Sequence, residues 1–409
     1  MKQQELIPHL FRTEFRKITT VLCRHFGTGH IEIAEDIASE TFLSAMESWP
    51  YKGLPENPVA WLYTTARNKA RNQQIRLQLF DKKISPQLKQ SESKFQEAEI
   101  DLSERNITDS QLQMMFAICH PIIPEEAQIS LVLRILCGFG VEEIASAFLT
   151  SKETVNKRLF RAREKLRQEK VQIEFPGDEE IDKRLDTILT ALYLLYSEGY
   201  YSESQDLILR EDLCGEAMRL TLLLIENEKT NLPQVNALYA MMCFHASRFA
   251  ARKSELGEMI LYKDQDEARW DKELIAKGSW HLHQAARGDK LSKYHLEASI
   301  AYWHTIKEDS REKWENILQL FNQLLCITYS PVIALNRTYA LSKANGKEEA
   351  ILEAEKLNLL DNPFYFTLLG ELYTAVDNKK AKLNFEKAIG LARTKTDQQT
   401  IQKKLNELE

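Results

Sequence analysis

The residues with the most chemistry to offer lie on one strongly basic helix. From Lys152 to Lys170 the chain carries eight basic residues and three acidic ones. Val155, Leu159, Ala162 and Leu166 recur at i, i+4, i+7 and i+11, which makes one stripe for burial. Lys152, Thr154, Asn156, Lys157, Arg158 and Arg161 lie on the remaining faces, followed by Arg163 and Lys165. Ser151 stands where it can cap the helix, a contribution of roughly 1 kcal/mol. Just before it, Val141 to Phe148 (VEEIASAF) reads as a short helix with Ile144 and Ala145 inward, and Leu149-Thr150-Ser151 as a tight turn. Short helix, turn and long basic helix form a helix-turn-helix. Its second helix can enter a major groove, with the first side chains on base edges and the later basic ones on phosphates.

A second basic helix starts near Pro58, a good first-turn residue. The stretch Asn57 to Arg76 carries Arg67, Lys69, Arg71 and Arg76 with no acid, beside Trp61, Tyr63, Asn68 and Asn72. Cations interleaved with aromatic rings suit a single strand, because unstacked bases stack on the rings while cations follow the phosphates. The helix before it has the opposite charge. Ile31 to Ser48 holds Glu32, Glu35, Asp36, Glu40 and Glu47 without a Lys or Arg, a face that fits a basic protein surface and repels DNA.

Other constellations weigh less. There is no Gly-rich phosphate loop, no HExxH and no Gly-x-Ser-x-Gly elbow, so an enzyme is the least supported class and no cofactor is expected. His281 and His283, two apart on a helix, point to different faces, and Asp264, Asp266, Glu267 and Asp271 look like helix-start acids. No metal site is expected from either group. Tyr193, Tyr196, Tyr200 and Tyr201 cluster around Gly199, which reads as a helix stop; they are core aromatics or the wall of a ligand pocket. The six cysteines are scattered singly, as reduced and mostly buried thiols would be.

These residues need an all-α scaffold. Apolar residues recur with a helical period along almost the whole chain, and alternating β-branched runs are missing. Helices are expected at 6–26, 31–49 (with Ile33, Ile37, Phe42 and Met46 inward) and from Pro58 through Ile75. The period collapses from Phe80 to about Asp109 into a Gln-, Ser-, Lys- and Glu-rich linker. A compact unit follows from Gln111 to about Lys170, and Pro176-Gly177 marks a second boundary. The domains are therefore 1–78, a linker at 79–110, 111–172, and 178–409. The last is a series of amphipathic helices. Phe366, Leu369, Gly370 and Tyr373 fit the first helix of a tetratricopeptide repeat, with Phe in place of Trp; Ala381, Phe385 and Ala388 keep the second-helix spacing one residue early; and Val332, Leu335 and Tyr339 stand 34 residues upstream.

The 409 residues are too apolar, at 44% hydrophobic, to be disordered throughout. No run reaches the ~18 to 20 apolar residues of a membrane span, and Met1 to Arg12 lacks the apolar core of a secretory signal. A soluble, cytoplasmic protein with no membrane partner is expected. The net charge of -6 hides an asymmetry: residues 1–170 hold 24 Lys/Arg against 22 Asp/Glu, and residues 171–409 hold 30 against 38. The two parts are expected to meet different partners.

The string AEDIASETFLSAMESW followed by ENPVAWLYTTARNKARNQQ resembles region two of bacterial sigma factors of the extracytoplasmic-function (ECF) group. PEEAQISLVLRILCGFGVEEIASAFLTSKETVNKRLFRAREKLR resembles their region four, in order and at the right separation. YSEGYYSES, REDLCGEAMRL, DQDEARWDKELIAKG and SPVIALNR resemble the subgroup with a C-terminal tetratricopeptide-like extension. The resemblance implies two small sigma domains, a region-two bundle and a region-four helix-turn-helix, joined by the linker and followed by a helical solenoid. It also implies a factor that binds core RNA polymerase (β′ clamp helices and β subunit) and directs initiation at promoter DNA.

Residue by residue, it places Glu35, Asp36 and Glu40 on the β′ clamp helices. Lys52, Asn57, Trp61, Arg67, Asn68, Lys69, Arg71 and Asn72 would capture the melted minus-ten element. Lys152, Thr154, Asn156, Lys157, Arg158 and Arg161 would read the minus-thirty-five duplex. Two positions depart from the pattern: Leu149 replaces the usual turn glycine, and the acidic Glu153 falls on the DNA side, where it would accept from cytosine or repel phosphate. The tail would modulate the factor in cis, with an unknown regulatory protein or ligand as partner. The rival reading is a conventional helix-turn-helix regulator with a helical sensing tail, which leaves the helices of 31–76 without a purpose. An interaction scaffold would leave the basic helix at 152–170 unexplained.

Overall fold

The computed structural model describes residues 3–84, 100–148, 150–200, 210–253, 260–392 and 394–408, and among these it is helical with no strand. The chain divides into two compact units, Met1–Leu195 and Tyr196–Glu409.

In the first unit, α1 (Gln3–Phe26), α2 (Ile31–Lys52) and α3 (Pro58–Ile84) pack together, with α4 (Glu104–Ile118) also against α1. Phe11 and Phe15 of α1 meet Phe42 of α2 at ring distances of 5.1 and 6.1 Å, and Trp49 of α2 meets Trp61 of α3 edge-on at 5.4 Å. Ile18, Leu22, Ala34, Ala38, Ala45 and Leu62 are fully covered, the small alanines letting the helices approach closely. Met46, expected inward, is 56% exposed. Ala45 takes the inward position, so the buried stripe runs through Ala34, Ile37, Ala38, Thr41, Phe42, Ala45 and Trp49.

Both ends of the expected linker, 79–110, fall within helices. α3 continues to Ile84, and residues 85–99 lie outside the described residues. From Ile100 the chain is packed: Ile100, Leu102 and Ile107 are buried, and Ser103 caps α4 by accepting the Asn106 N–H. α4 thus begins seven residues before the unit expected from Gln111, since its first turns carry few apolar residues and polar composition hides them.

α5 (Glu125–Leu131) widens into a π-helical turn at Val132–Leu136, where Cys137 N–H reaches back five residues to the Val132 carbonyl. α6 (Val141–Ala147) and α7 (Lys152–Gln168) follow, and α8 (Asp178–Tyr200) runs across the boundary of the two units. Within the first unit the Arg184 guanidinium donates to the Phe116 carbonyl at 3.1 Å, and Phe116 meets Phe175 edge-on at 5.2 Å. Gly199 is itself helical, and α8 ends one residue later at Tyr200, the last described residue before 210. The glycine permits a close approach: a β-carbon there would lie 2.8 Å from Cys214 Sγ and 2.9 Å from the Arg210 carbonyl oxygen.

The second unit continues through α9 (Glu211–Glu226), α10 (Pro233–Ala246), α11 (Phe249–Arg252), α12 (Lys272–Ala285) and α13 (Lys293–Trp303). It goes on with α14 (Arg311–Ile327), α15 (Pro331–Ala344), α16 (Lys347–Leu357), α17 (Pro363–Tyr373), α18 (Asn378–Leu391) and α19 (Lys395–Asn406). Between α10 and α11 the chain bends at Ser247, whose hydroxyl donates to Phe244 O and whose carbonyl accepts the Asp271 N–H.

At the C-terminal end the tetratricopeptide spacing has a packing cause. A β-carbon on Gly370 of α17 would lie 2.6 Å from the Phe385 ring of α18, so only glycine allows that ring in. Leu335, Ile351 and Ala354 are buried 34 residues before Leu369, Phe385 and Ala388, which are also buried. Val332, the counterpart of Phe366, is 57% exposed, so the period holds inside the pairs and fails at that edge. α19 had no expectation from sequence, because only Ile401 and Leu405 bury in a polar helix.

Candidate nucleic-acid interface

The helix-turn-helix forms from local signals. Glu143 accepts the Gly140 N–H at 2.7 Å and closes the start of α6; Thr150 N–H bonds to Ala145 O at 2.8 Å in the turn; Ser151 accepts the Thr154 N–H at 3.2 Å and starts α7. Leu149 lies outside the described residues. The stripe Val155, Leu159, Ala162 and Leu166 is buried, as its spacing requires.

That burial leaves Lys152, Thr154, Asn156, Lys157 and Arg161 exposed along α7. Lys152 forms an ion pair with Glu142 of α6. Arg158 is half-buried, its guanidinium 5.1 Å from the centre of the Phe148 ring. Glu153 is exposed, and hydrogen bonds from backbone N–H and the Ser151 hydroxyl hold its carboxyl below the usual carboxylate range, so it is anionic at neutral pH. Phe160, not singled out from sequence, is 63% exposed between Lys157 and Arg161. Its position off the 155/159/162/166 stripe was the available signal, and an exposed ring beside cations can contact a thymine methyl.

The first basic helix is more engaged. Asn57 Oδ1 accepts the Ala60 N–H at 3.0 Å and caps α3. Trp61 is half-buried on Trp49, and Arg67 Nε donates to the Ile100 carbonyl at 3.0 Å. Lys69 pairs with Glu40 at 3.2 Å. Lys52, Asn68, Arg71 and Asn72 are exposed. Charge thus remains free for a polyanion at the end of α2 and along one side of α3, while Asn57, Trp61, Arg67 and Lys69 hold the helix in place.

On α2, Asp36 is exposed and the Glu40 side chain is 62% exposed. Leu43 (54%) and Met46 (56%) extend this acidic face with apolar surface. Glu35 is different. Its two carboxylate oxygens lie 3.2 and 3.3 Å from Arg163 Nη2 on α7, and one lies 3.8 Å from Arg134 Nε. Arg163 also approaches Glu32 at 3.8 Å. The end of α7 is held to the same bundle, where Thr28 Oγ1 donates to the Val171 carbonyl at 2.7 Å. Sequence reasoning missed this pairing. The signal was present as opposite charge on 31–48 and 152–170, but no spacing rule connects residues 128 apart.

Of the remaining motifs, His281 is buried and its Nδ1 lies 2.8 Å from Asn236 Oδ1. Asp266 accepts the Ala268 N–H, and Asp271 accepts the N–H groups of Glu273 and Leu274, both as helix caps. Tyr196 is buried and donates to the Met242 carbonyl at 2.9 Å; Tyr201 lies outside the described residues. Cys23, Cys119, Cys137, Cys214 and Cys243 are buried and Cys326 is exposed, and none forms a disulfide among the described residues. No helix is long and apolar enough to cross a membrane among the described residues.

Comparison with known proteins matches these units. Residues 10–78 match the family model for Sigma-70 region 2, and residues 119–166 match Sigma-70, region 4. Residues 184–286 match a family of unknown function, DUF6596. An uncharacterized protein, R00370, of Rhizobium meliloti (strain 1021) is 31% identical over 396 residues, covering 95% of this chain and 92% of that protein. RNA polymerase sigma factor YlaC of Bacillus subtilis (strain 168) is 27% identical over 171 residues, covering 41% of this chain and 94% of that protein. No solved structure matches. With both regions in order on a helical scaffold, and a sigma factor aligned over nearly its whole length, the chain belongs to the ECF-like sigma factors of RNA polymerase, which direct transcription initiation through core polymerase and promoter DNA.

Proposed function

We propose a division of labour among the faces of this sigma factor. Glu35, Asp36 and Glu40, extended by the exposed Leu43 and Met46, dock on the β′ clamp helices of core polymerase. Lys52, Asn68, Arg71 and Asn72 meet the melted minus-ten strand, on a helix held by Asn57, Trp61, Arg67 and Lys69, which engage it directly once DNA displaces their present partners. Lys152, Thr154, Asn156, Lys157, Arg158 and Arg161 read the minus-thirty-five duplex, with Phe160 as an added apolar contact. The factor makes and breaks no bonds. Base contacts worth ~1 to 3 kcal/mol each supply discrimination, and capture of unstacked bases offsets part of the cost of melting.

The observation that carries this reading is the grip of Arg163 and Arg134 on Glu35. A carboxylate suited to a basic protein surface is here held by cations of the chain's own second DNA-binding module. Free factor is therefore closed on itself, and core polymerase competes with Arg163 for Glu35. The helical tail acts in cis on this cytoplasmic factor, and its acidic balance suits a basic partner. Its test is a truncation after Tyr200 beside the full chain. A cut at 175 would remove Ile181, Leu185 and Arg184, which belong to the first unit. Promoter-dependent transcription that is identical with and without the tail would remove the cis role.

A further inference from the structure

One cluster in the second unit serves neither DNA nor polymerase contact in this account. His245 at the end of α10, Arg248 and Arg252 beside and on α11, His304 after α13 and Lys313 on α14 gather around the rings of Tyr200 and Tyr262. Arg248 is 6% exposed and Lys313 1%. Arg248 lies 3.3 Å from the Tyr200 hydroxyl and 3.4 Å from His245 Nδ1, and its guanidinium is 5.4 Å from the Tyr262 ring centre. Lys313 Nζ donates to the Tyr262 hydroxyl at 3.1 Å and to the Ile306 carbonyl. Arg252 lies 3.8 Å over the Tyr200 ring, and Trp270 stacks near Tyr262 with centres 6.2 Å apart.

No described carboxylate forms an ion pair with Arg248 or Lys313. Asp309 attracts Lys313 through space without an ion pair, its oxygens being engaged by Trp314 Nε1 and Lys343. Both histidines are held neutral. Burial and then Arg248 and Lys313 lower His304 to about 3, and burial followed by Arg248, Arg252 and His304 takes His245 well below its usual value. Desolvating an ammonium or guanidinium costs several kcal/mol unless an anion or a full set of acceptors compensates. Here two buried donors, Arg248 Nε and Trp270 Nε1, have no acceptor among the described residues. Two buried cations, two spare donors and neighbouring aromatic rings are the chemistry that receives an anion.

The geometry points to a binding site in the C-terminal unit for a small organic oxyanion, a carboxylate or phosphate, received by Arg248 and Lys313 beside the rings of Tyr200, Tyr262 and Trp270. Such a ligand compensates the buried charge and ties α10, α11 and α14 together, which gives the tail a small-molecule input of its own.

The test uses the full chain, titrated with sodium phosphate or sodium benzoate against sodium chloride at matched ionic strength. Tryptophan fluorescence and the thermal midpoint are the readouts. A saturable response to either anion, absent in chloride, is expected. Arg248→Gln should weaken it by at least about tenfold, since a charge-assisted bond is lost, and exposed Lys290→Gln should not change it. Phosphate alone acting would assign a phosphorylated ligand, and tighter binding of benzoate an aromatic carboxylate. Should Arg248→Gln fail to fold, Trp270→Phe, which keeps the ring and removes the Nε1 donor, reads out the same loss. No saturable response to either anion, or an unchanged one in both variants, overturns the site.

Discussion

Replacing Arg163 by alanine tests whether the factor is closed by its own charges. The Arg163 and Glu35 side chains are 18% and 19% exposed, and one guanidinium nitrogen reaches both carboxylate oxygens at 3.2 and 3.3 Å. An exposed pair would contribute less than ~1 kcal/mol, and a fully buried charge-assisted bond about 1.5 to 3. Partial burial and the additional Arg134 contact place this one at about 1 to 2 kcal/mol, a five- to thirtyfold shift in the ratio of closed to open factor. Where the closed form dominates, apparent affinity for a partner of the open form changes by the same factor. Arg163→Ala should therefore bind core polymerase about 5 to 30 times more tightly in the absence of DNA. Glu35→Ala should bind it more weakly, and the double variant should resemble Glu35→Ala. Binding can be followed by fluorescence anisotropy of labelled factor, with circular dichroism to confirm folding. Unchanged or weaker binding by Arg163→Ala would refute the competition between Arg163 and polymerase for Glu35.

Other outcomes follow from the same contacts. Arg161→Ala should weaken binding to minus-thirty-five duplex and lower the salt slope by about one phosphate contact; an unchanged slope and affinity would remove Arg161 from the DNA face. The second unit should lose stability in acid. Burial, then Lys277, lowers His281 to about 4, and His304 falls to about 3. The unfolded chain then takes up protons below ~6.5 that the folded one refuses, so stability is full above that pH and falls as pH drops toward 4. His281 alone accounts for about 2 kcal/mol between pH 7.5 and 5. Urea unfolding should show His281→Gln with a flatter pH dependence than the parent, and equal slopes would contradict the assignment.

Much of this was legible in local sequence because its causes are local. The α7 stripe, the Ser151 cap and the Gly370 position each depend on neighbours within a turn or a helix pair, and each signal has a visible spacing. What stayed hidden depends on distance. The pairing of Glu35 with Arg163 and Arg134 joins segments about a hundred residues apart, and charge pattern alone cannot choose between an internal and an external partner. Arg67 reads as a phosphate contact until Ile100 is seen to take its Nε donor. The close approach of Cys214 to Gly199 joins two helices and leaves no local spacing signal. Met46 fits the apolar period of α2, but a small alanine one position earlier is what the neighbouring helices leave room for.

Whether the chain directs initiation is decided by mixing it, purified, with bacterial core RNA polymerase in a run-off assay on promoters of its own genome. Specific transcripts that require the chain, together with co-migration with core, are expected. Sequence-specific DNA binding with no transcript and no co-migration would contradict that role and leave a conventional helix-turn-helix regulator instead.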